Sequence, residues 1–166
     1  PMQWNDLYCL TRPEVHTLSI GVSRPSDFDE HFEAVTKHWD QRDALVNDIE
    51  RRINRSLEND LGAEWVSNWH VGLPHYSDTP GHINVREIVR LWTFHKGLDL
   101  LEFAKMRYNL LGNADHWFPG KQAADVDSHD WSCLSASPFA ARIPDLLKES
   151  HALFHVDNEA KRLSES

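Results

Sequence analysis

One six-residue stretch constrains this chain more than any other feature. Val15-His16-Thr17-Leu18-Ser19-Ile20 alternates apolar and polar side chains, is rich in β-formers and ends at Gly21. It is the only convincing strand in 166 residues. A strand by itself leaves backbone donors and acceptors unpaired along both edges, so its partners must lie outside the chain or in another copy. The sequence reads as a fragment of a larger fold.

The remaining periodic segments are helical, so the expected class is mainly α. Ser23-Arg24-Pro25-Ser26 offers a helix start, with Pro allowed in the first turn and Asp27, Asp29 and Glu30 favouring the positive end of the dipole. This predicts a helix from about Pro25 to Trp39. Leu45, Ile49, Ile53, Leu57 and Leu61 recur every four residues before Gly62 and predict a second helix, with the stripe as core material. Trp65 to Pro80 carries turn and breaker signals and reads as loop. Asn84 and Glu87 form a capping-box pattern ahead of Val85, Ile88, Val89, Trp92, Leu98, Leu101 and Met106, which predicts a long helix to Leu111, bent near Gly97. A second aromatic-bearing loop runs from Ala114 to Phe139. Ile143-Pro144 then opens a last helix carrying Leu146, Leu147, Leu153 and Phe154, with a frayed tail from Asp157. Loops this long require a function, a cofactor or a lost cofactor.

Charge and composition narrow the function classes. Seventeen Lys plus Arg against twenty-six Asp plus Glu give a formal charge of −9, and the group Arg51, Arg52 and Arg55 sits among Asp48, Glu50, Glu58 and Asp60 as a solvated helix face. A nucleic-acid partner is disfavoured. No apolar run approaches the roughly 20 residues that span a bilayer, and Pro1 to Asp6 lacks a signal-peptide pattern, so the chain reads as soluble and cytoplasmic. Cys9 and Cys133 give no disulfide framework and read as structural thiols, Cys9 as a buried one. Among eleven His, the pair His151 and His155 lies one helical turn apart and His129 lies near Cys133, but neither pair has the further ligands a metal site needs.

The turn Gly21-Val22-Ser23-Arg24-Pro25-Ser26-Asp27 leaves the strand and enters a helix, placing free N–H groups, a hydroxyl and a guanidinium where a phosphate can be held. On pattern alone, ordinary capping is the commoner role of such a turn. The wider segment Val15 to Glu33, VHTLSIGVSRPSDFDEHFE, resembles the eighth strand and eighth helix of an aldo/keto reductase barrel. The resemblance implies the last strand and helix of a TIM (β/α)8 barrel, with Gly21, Ser23 and Arg24 matching the turn that binds the adenosine 2′-phosphate of NADP. Family members often have Gln and Asn where this chain has Asp27 and His31, which complete the cofactor-binding candidates. Asp27 either weakens 2′-phosphate binding, favours the unphosphorylated cofactor, or points away, so NADP and NAD both remain open. The family's catalytic Asp, Tyr, Lys and His lie on earlier strands, and none carries over. The resemblance therefore implies a piece that is not catalytic alone, whose partners are the missing N-terminal barrel of the same protein and a small-molecule carbonyl substrate.

Residues 41–166 resemble the helical ferredoxin-like extension of one aldo/keto reductase subgroup, most specifically at Arg107-Tyr108-Asn109-Leu110-Leu111-Gly112-Asn113 and Ile143-Pro144-Asp145-Leu146-Leu147. The implied division is 1–40 as the end of the barrel and 41–166 as the extension. Cluster loops of that kind place ligands as C-x2-C-x2-C-x3-C-P. Counting back from Ser137-Pro138 reaches Cys133, Asp130 and Asp127; counting back from Leu73-Pro74 reaches Trp69, Val66 and Ala63. One thiol in eight positions cannot hold a cluster, so no iron–sulfur cofactor is expected. Trp69, Tyr76, Trp117, Phe118, Trp131 and Phe139 are candidates to fill the vacated volume. The expected function is the C-terminal portion of an NAD(P)-dependent oxidoreductase; the alternative is a standalone helical binding module whose former cluster loops offer aromatic surface to a partner.

Overall fold

A computed structural model describes residues 1–109 and 123–156. Among these the chain is helical: α1 (Met2–Leu10), α2 (Asp27–Lys37), α3 (Arg42–Leu61), α4 (Ala63–Asn68), α5 (Val85–Leu98), α6 (Leu101–Asn109) and α7 (Ile143–Phe154), joined by irregular segments and short 3₁₀ turns. Contacts divide it into two compact units, Pro1–Arg55 and Ser56–Ser166. The predicted helix end at Leu111, the frayed tail from Asp157, and Trp117 and Phe118 lie outside the described residues.

In the first unit α1 packs on α2 around a core of Leu7, Ala34 and Val46, with Trp4, Tyr8 and Leu45 alongside. The sequence reading assigned no helix to Met2–Leu10, because Trp4, Leu7 and Tyr8 span barely one turn of apolar period. The helix is closed at its C-terminal end instead, where the Thr11 N–H donates to the Leu7 carbonyl at 2.9 Å and the Thr11 hydroxyl to Tyr8 O at 2.7 Å. Cys9, expected to be buried, is only partly so.

The predicted strand is absent. Residues 15–22 carry no ladder, and among the described residues no backbone–backbone hydrogen bond is made by 16–23. The physical reason is the one the sequence implies: a β-prone segment needs a second strand to pair with, and the described residues supply none. The Leu45 to Leu61 stripe of α3 is half-buried rather than fully buried: Leu45 packs against the smaller core and Leu61 against the larger one, while Val46 is the buried residue of that helix.

The second unit holds the large core. Trp65, Ile83, Val85, Ile88, Val89, Leu91, Trp92, Tyr108, Ile143, Leu146, Leu147 and Phe154 are all buried in one cluster. At ~1.5–3 kcal/mol for each fully buried large side chain, this cluster outweighs the three-residue core of the first unit several-fold. α5, α6 and α7 pack on one another around it. The Asn84 side chain accepts the Glu87 N–H at 3.1 Å, as its capping position predicts.

Two further corrections concern this unit. The expected single helix from Asn84 is broken into α5 and α6 at Asp99, whose left-handed φ of 53° caps α5 through a bond to the Phe94 carbonyl. Gly97 is not a bend; it is a close-approach residue, where an added Cβ would lie 2.5 Å from a Leu57 methyl. The Trp65–Pro80 segment, expected as loop, begins inside α4. Leu153 of the predicted α7 stripe is exposed, whereas Leu146, Leu147 and Phe154 are buried.

Candidate functional site

The turn before α2 draws together three of the five predicted cofactor residues. The Asp27 carboxylate folds back over it, so that one oxygen, Oδ2, accepts the Ser23 N–H at 2.9 Å and the Arg24 N–H at 3.0 Å. The other oxygen, Oδ1, lies 3.4 Å from the Arg24 guanidinium, whose side chain is otherwise exposed. Asp27 itself is buried. The backbone donors of Ser23 and then Arg24 hold its carboxyl below the usual range for Asp, with the Arg24 charge adding to the effect, so it is an anion at neutral pH. Of the three placements left open for Asp27, pointing away is thereby excluded: it points into the turn.

Gly21 and His31 do not join this group. Gly21 is exposed and a Cβ there would meet nothing within 4 Å, so neither packing nor a positive φ requires glycine at that position. His31 sits a helical turn further on and reaches α1, its Nδ1 lying 2.6 Å from Asp6 Oδ2 with both side chains nearly buried. Its Nε2 is buried without a hydrogen-bond partner. The Asp6–His31 pair was invisible in the sequence because its members come from two elements, one of which was not anticipated.

Around that pair, α2 is turned inside out relative to an ordinary surface helix. Ala34 and the Asp6–His31 pair face α1, while Phe28, Phe32 and Val35 face outward, 55%, 66% and 43% exposed. With Leu10, Leu18 and Ile20 they line an apolar groove of about 360 Å³.

No family model, curated protein or solved structure matches this chain. What can be read about its chemistry therefore comes from the geometry.

The two loops read as former cluster loops meet each other directly. At Gly72, with φ of 68°, an added Cβ would fall 2.1 Å from the Ala136 carbonyl oxygen, so the backbones of the two loops are in contact. Of the eight counted positions, Asp130 caps its own turn by accepting from the Ser132 N–H and hydroxyl at 3.0 and 2.8 Å, and Asp127 pairs with Lys148. Cys133 packs against the core, which raises its thiol pKa by desolvation. Trp69, Trp131 and Phe139 pack there too, and Phe139 lies 4.7 Å from Trp65, itself 5.3 Å from Trp92. Among the described residues no group of three or more His, Cys, Asp or Glu is arranged to hold a metal ion, and no helix is long and apolar enough to cross a membrane.

Trp65 was the residue that sequence reasoning passed over. The turn signals around it place it in a loop, yet it is 2% exposed, donates from Nε1 to Thr93 at 3.0 Å, and carries the Arg142 guanidinium 4.6 Å above its ring. The available signal was helical: Gly62 stops α3, and Ala63-Glu64 supplies good helix formers with an acid in the first turn.

Proposed function

We propose that this chain is the C-terminal portion of an NAD(P)-dependent aldo/keto reductase: the closing strand and helix of a barrel, followed by a helical accessory unit. The observation that carries the reading is the outward apolar face of α2. A helix that turns Phe28, Phe32 and Val35 away from its own unit, beside a β-prone segment whose residues 16–20 make no backbone–backbone hydrogen bond, fits half of a strand–helix layer without its sheet. An adjoining parallel sheet satisfies both needs at once, pairing residues 15–20 and covering the apolar groove. The resemblance of residues 15–33 to a barrel's last repeat supports the same assembly. In that assembly the turn at Ser23, Arg24 and Asp27 lies at the carboxy-terminal end of the strand, where barrel enzymes place their ligands. The chain itself brings no hydride donor and no proton-donating tyrosine to the reaction, so chemistry belongs to the assembled protein.

The test is a fluorescence titration of the complete gene product with NADH and NADPH, followed by assay of carbonyl reduction. Saturable binding with dinucleotide-dependent turnover is expected. A gene product without a barrel, or a folded one that binds neither dinucleotide, sinks the reading.

A second reading is favoured by a different observation. The Ser56–Ser166 unit has a core of its own, and one former cluster loop lines a cavity of about 520 Å³ with Leu73, Pro74, His75 and Tyr76 beside Arg86. Under this reading the unit is a helical binding module, and its Arg86 and aromatic lining take an acidic, partly apolar partner. Retention of the fold and of partner binding by residues 56–166 alone would select it.

A further inference from the structure

The turn at Ser23–Asp27 carries an inference about selectivity that rests on reading it as a cofactor turn. A phosphate seated in such a turn is held by backbone N–H groups and a guanidinium. Here both backbone donors are already committed, the Ser23 and Arg24 N–H groups to Asp27 Oδ2 at 2.9 and 3.0 Å, while one nitrogen of the otherwise exposed Arg24 guanidinium lies 3.4 Å from Oδ1. The anion in this turn is the chain's own side chain. An N–H donor has one hydrogen, so an incoming phosphate must displace the carboxylate from both amides and then lie against its charge at contact distance. A ribose hydroxyl makes neither demand, since it is neutral and can donate to a carboxylate.

We infer that Asp27 is a selectivity residue, seating its own carboxylate where a 2′-phosphate would lie and so restricting the turn to a dinucleotide with a free ribose hydroxyl. Arg24 belongs to the same device through its backbone N–H, which Asp27 holds, and through one guanidinium nitrogen 3.4 Å from Oδ1, although the rest of that side chain is exposed.

The experiment uses the chain as it stands, ¹⁵N-labelled, in three forms: wild type, Asp27→Asn, which keeps the shape without the charge, and Asp27→Ser, which keeps a short acceptor if the first variant folds poorly. Inorganic phosphate at neutral pH is the first probe. The Ser23 and Arg24 amide resonances of wild type should stay in place, while those of a folded variant should move saturably. NADH and NADPH are the second probe, and the ratio of their dissociation constants should swing toward NADPH by roughly tenfold or more on removing the carboxylate. Wild-type amides that respond to phosphate as strongly as the variants' overturn the inference, as do variants whose amides never respond. A variant that gains phosphate while no form binds either dinucleotide upholds the exclusion of phosphate by Asp27, and the reductase reading is then decided separately by the titration of the complete gene product, because this chain lacks the barrel that completes the cofactor site.

Discussion

Trp65 and His151 illustrate how much single residues decide in the larger unit. Trp65 fills space between Trp92 and Phe139 and hydrogen-bonds Thr93, so Trp65→Ala removes a buried ring and leaves a void between the two backbone-contacting loops. The expected cost is about 3–5 kcal/mol, read as a lowered urea midpoint of the Ser56–Ser166 unit; a shift under about 1 kcal/mol would mean that the loops collapse into the space. His151 Nδ1 and the Tyr108 hydroxyl share a hydrogen bond at 2.7 Å, and the His151 ring stacks 4.6 Å from that of His155. Burial pushes the Tyr108 phenol well above its ordinary range, so it keeps its proton. Burial first and His155 second lower the His151 pKa beneath its ordinary 6.5, while Asp125 acts in the opposite direction. The unfolded chain therefore binds this proton more readily than the folded one. The stability contributed by neutral His151 is complete above pH 6.5 and is lost as pH falls through the folded value. Midpoints of wild type and His151→Gln should accordingly converge as pH falls below 6.5, and a gap that stays constant from pH 8 to pH 5 would refute this assignment.

α2 poses the clearest problem at the level of elements. Its first turn is acidic and its last turn carries Lys37, which suits the dipole, and the Lys37–Glu33 pair spans one turn. The sequence pattern located this helix to within two residues at either end, but pattern does not say which face turns inward. Here the small residue Ala34 is inside and the large apolar residues are outside. The double substitution Phe28→Ser with Phe32→Ser should therefore leave the stability of this chain within about 0.5 kcal/mol of wild type, as for other solvent-facing positions. The same pair should abolish co-purification with a barrel supplied in trans. A loss above about 2 kcal/mol in the chain alone would mean that the face is already covered.

At the scale of the whole molecule, the chain divides into two units with cores of unequal size, and the division, between Arg55 and Ser56, falls within the residue range of α3. No apolar period announces that division, since the Leu45 to Leu61 stripe runs through it without interruption. Local chemistry was enough for the sequence to determine the mainly helical class, the Asn84 cap, the buried face of α5 and, except at Leu153, that of α7, and the β-prone segment with no partner among the described residues. Each of these follows from backbone preference or from side-chain period within one element. The role of Gly97 against Leu57, the burial of Trp65 and the Asp6–His31 pair were decided only by tertiary structure, because each depends on a second element brought close by packing. Asp27 shows the boundary most directly. Its charge and its place beside Ser23 and Arg24 are written in the sequence, whereas the direction of its carboxylate is set by the fold of the turn, which presents two N–H groups to one oxygen.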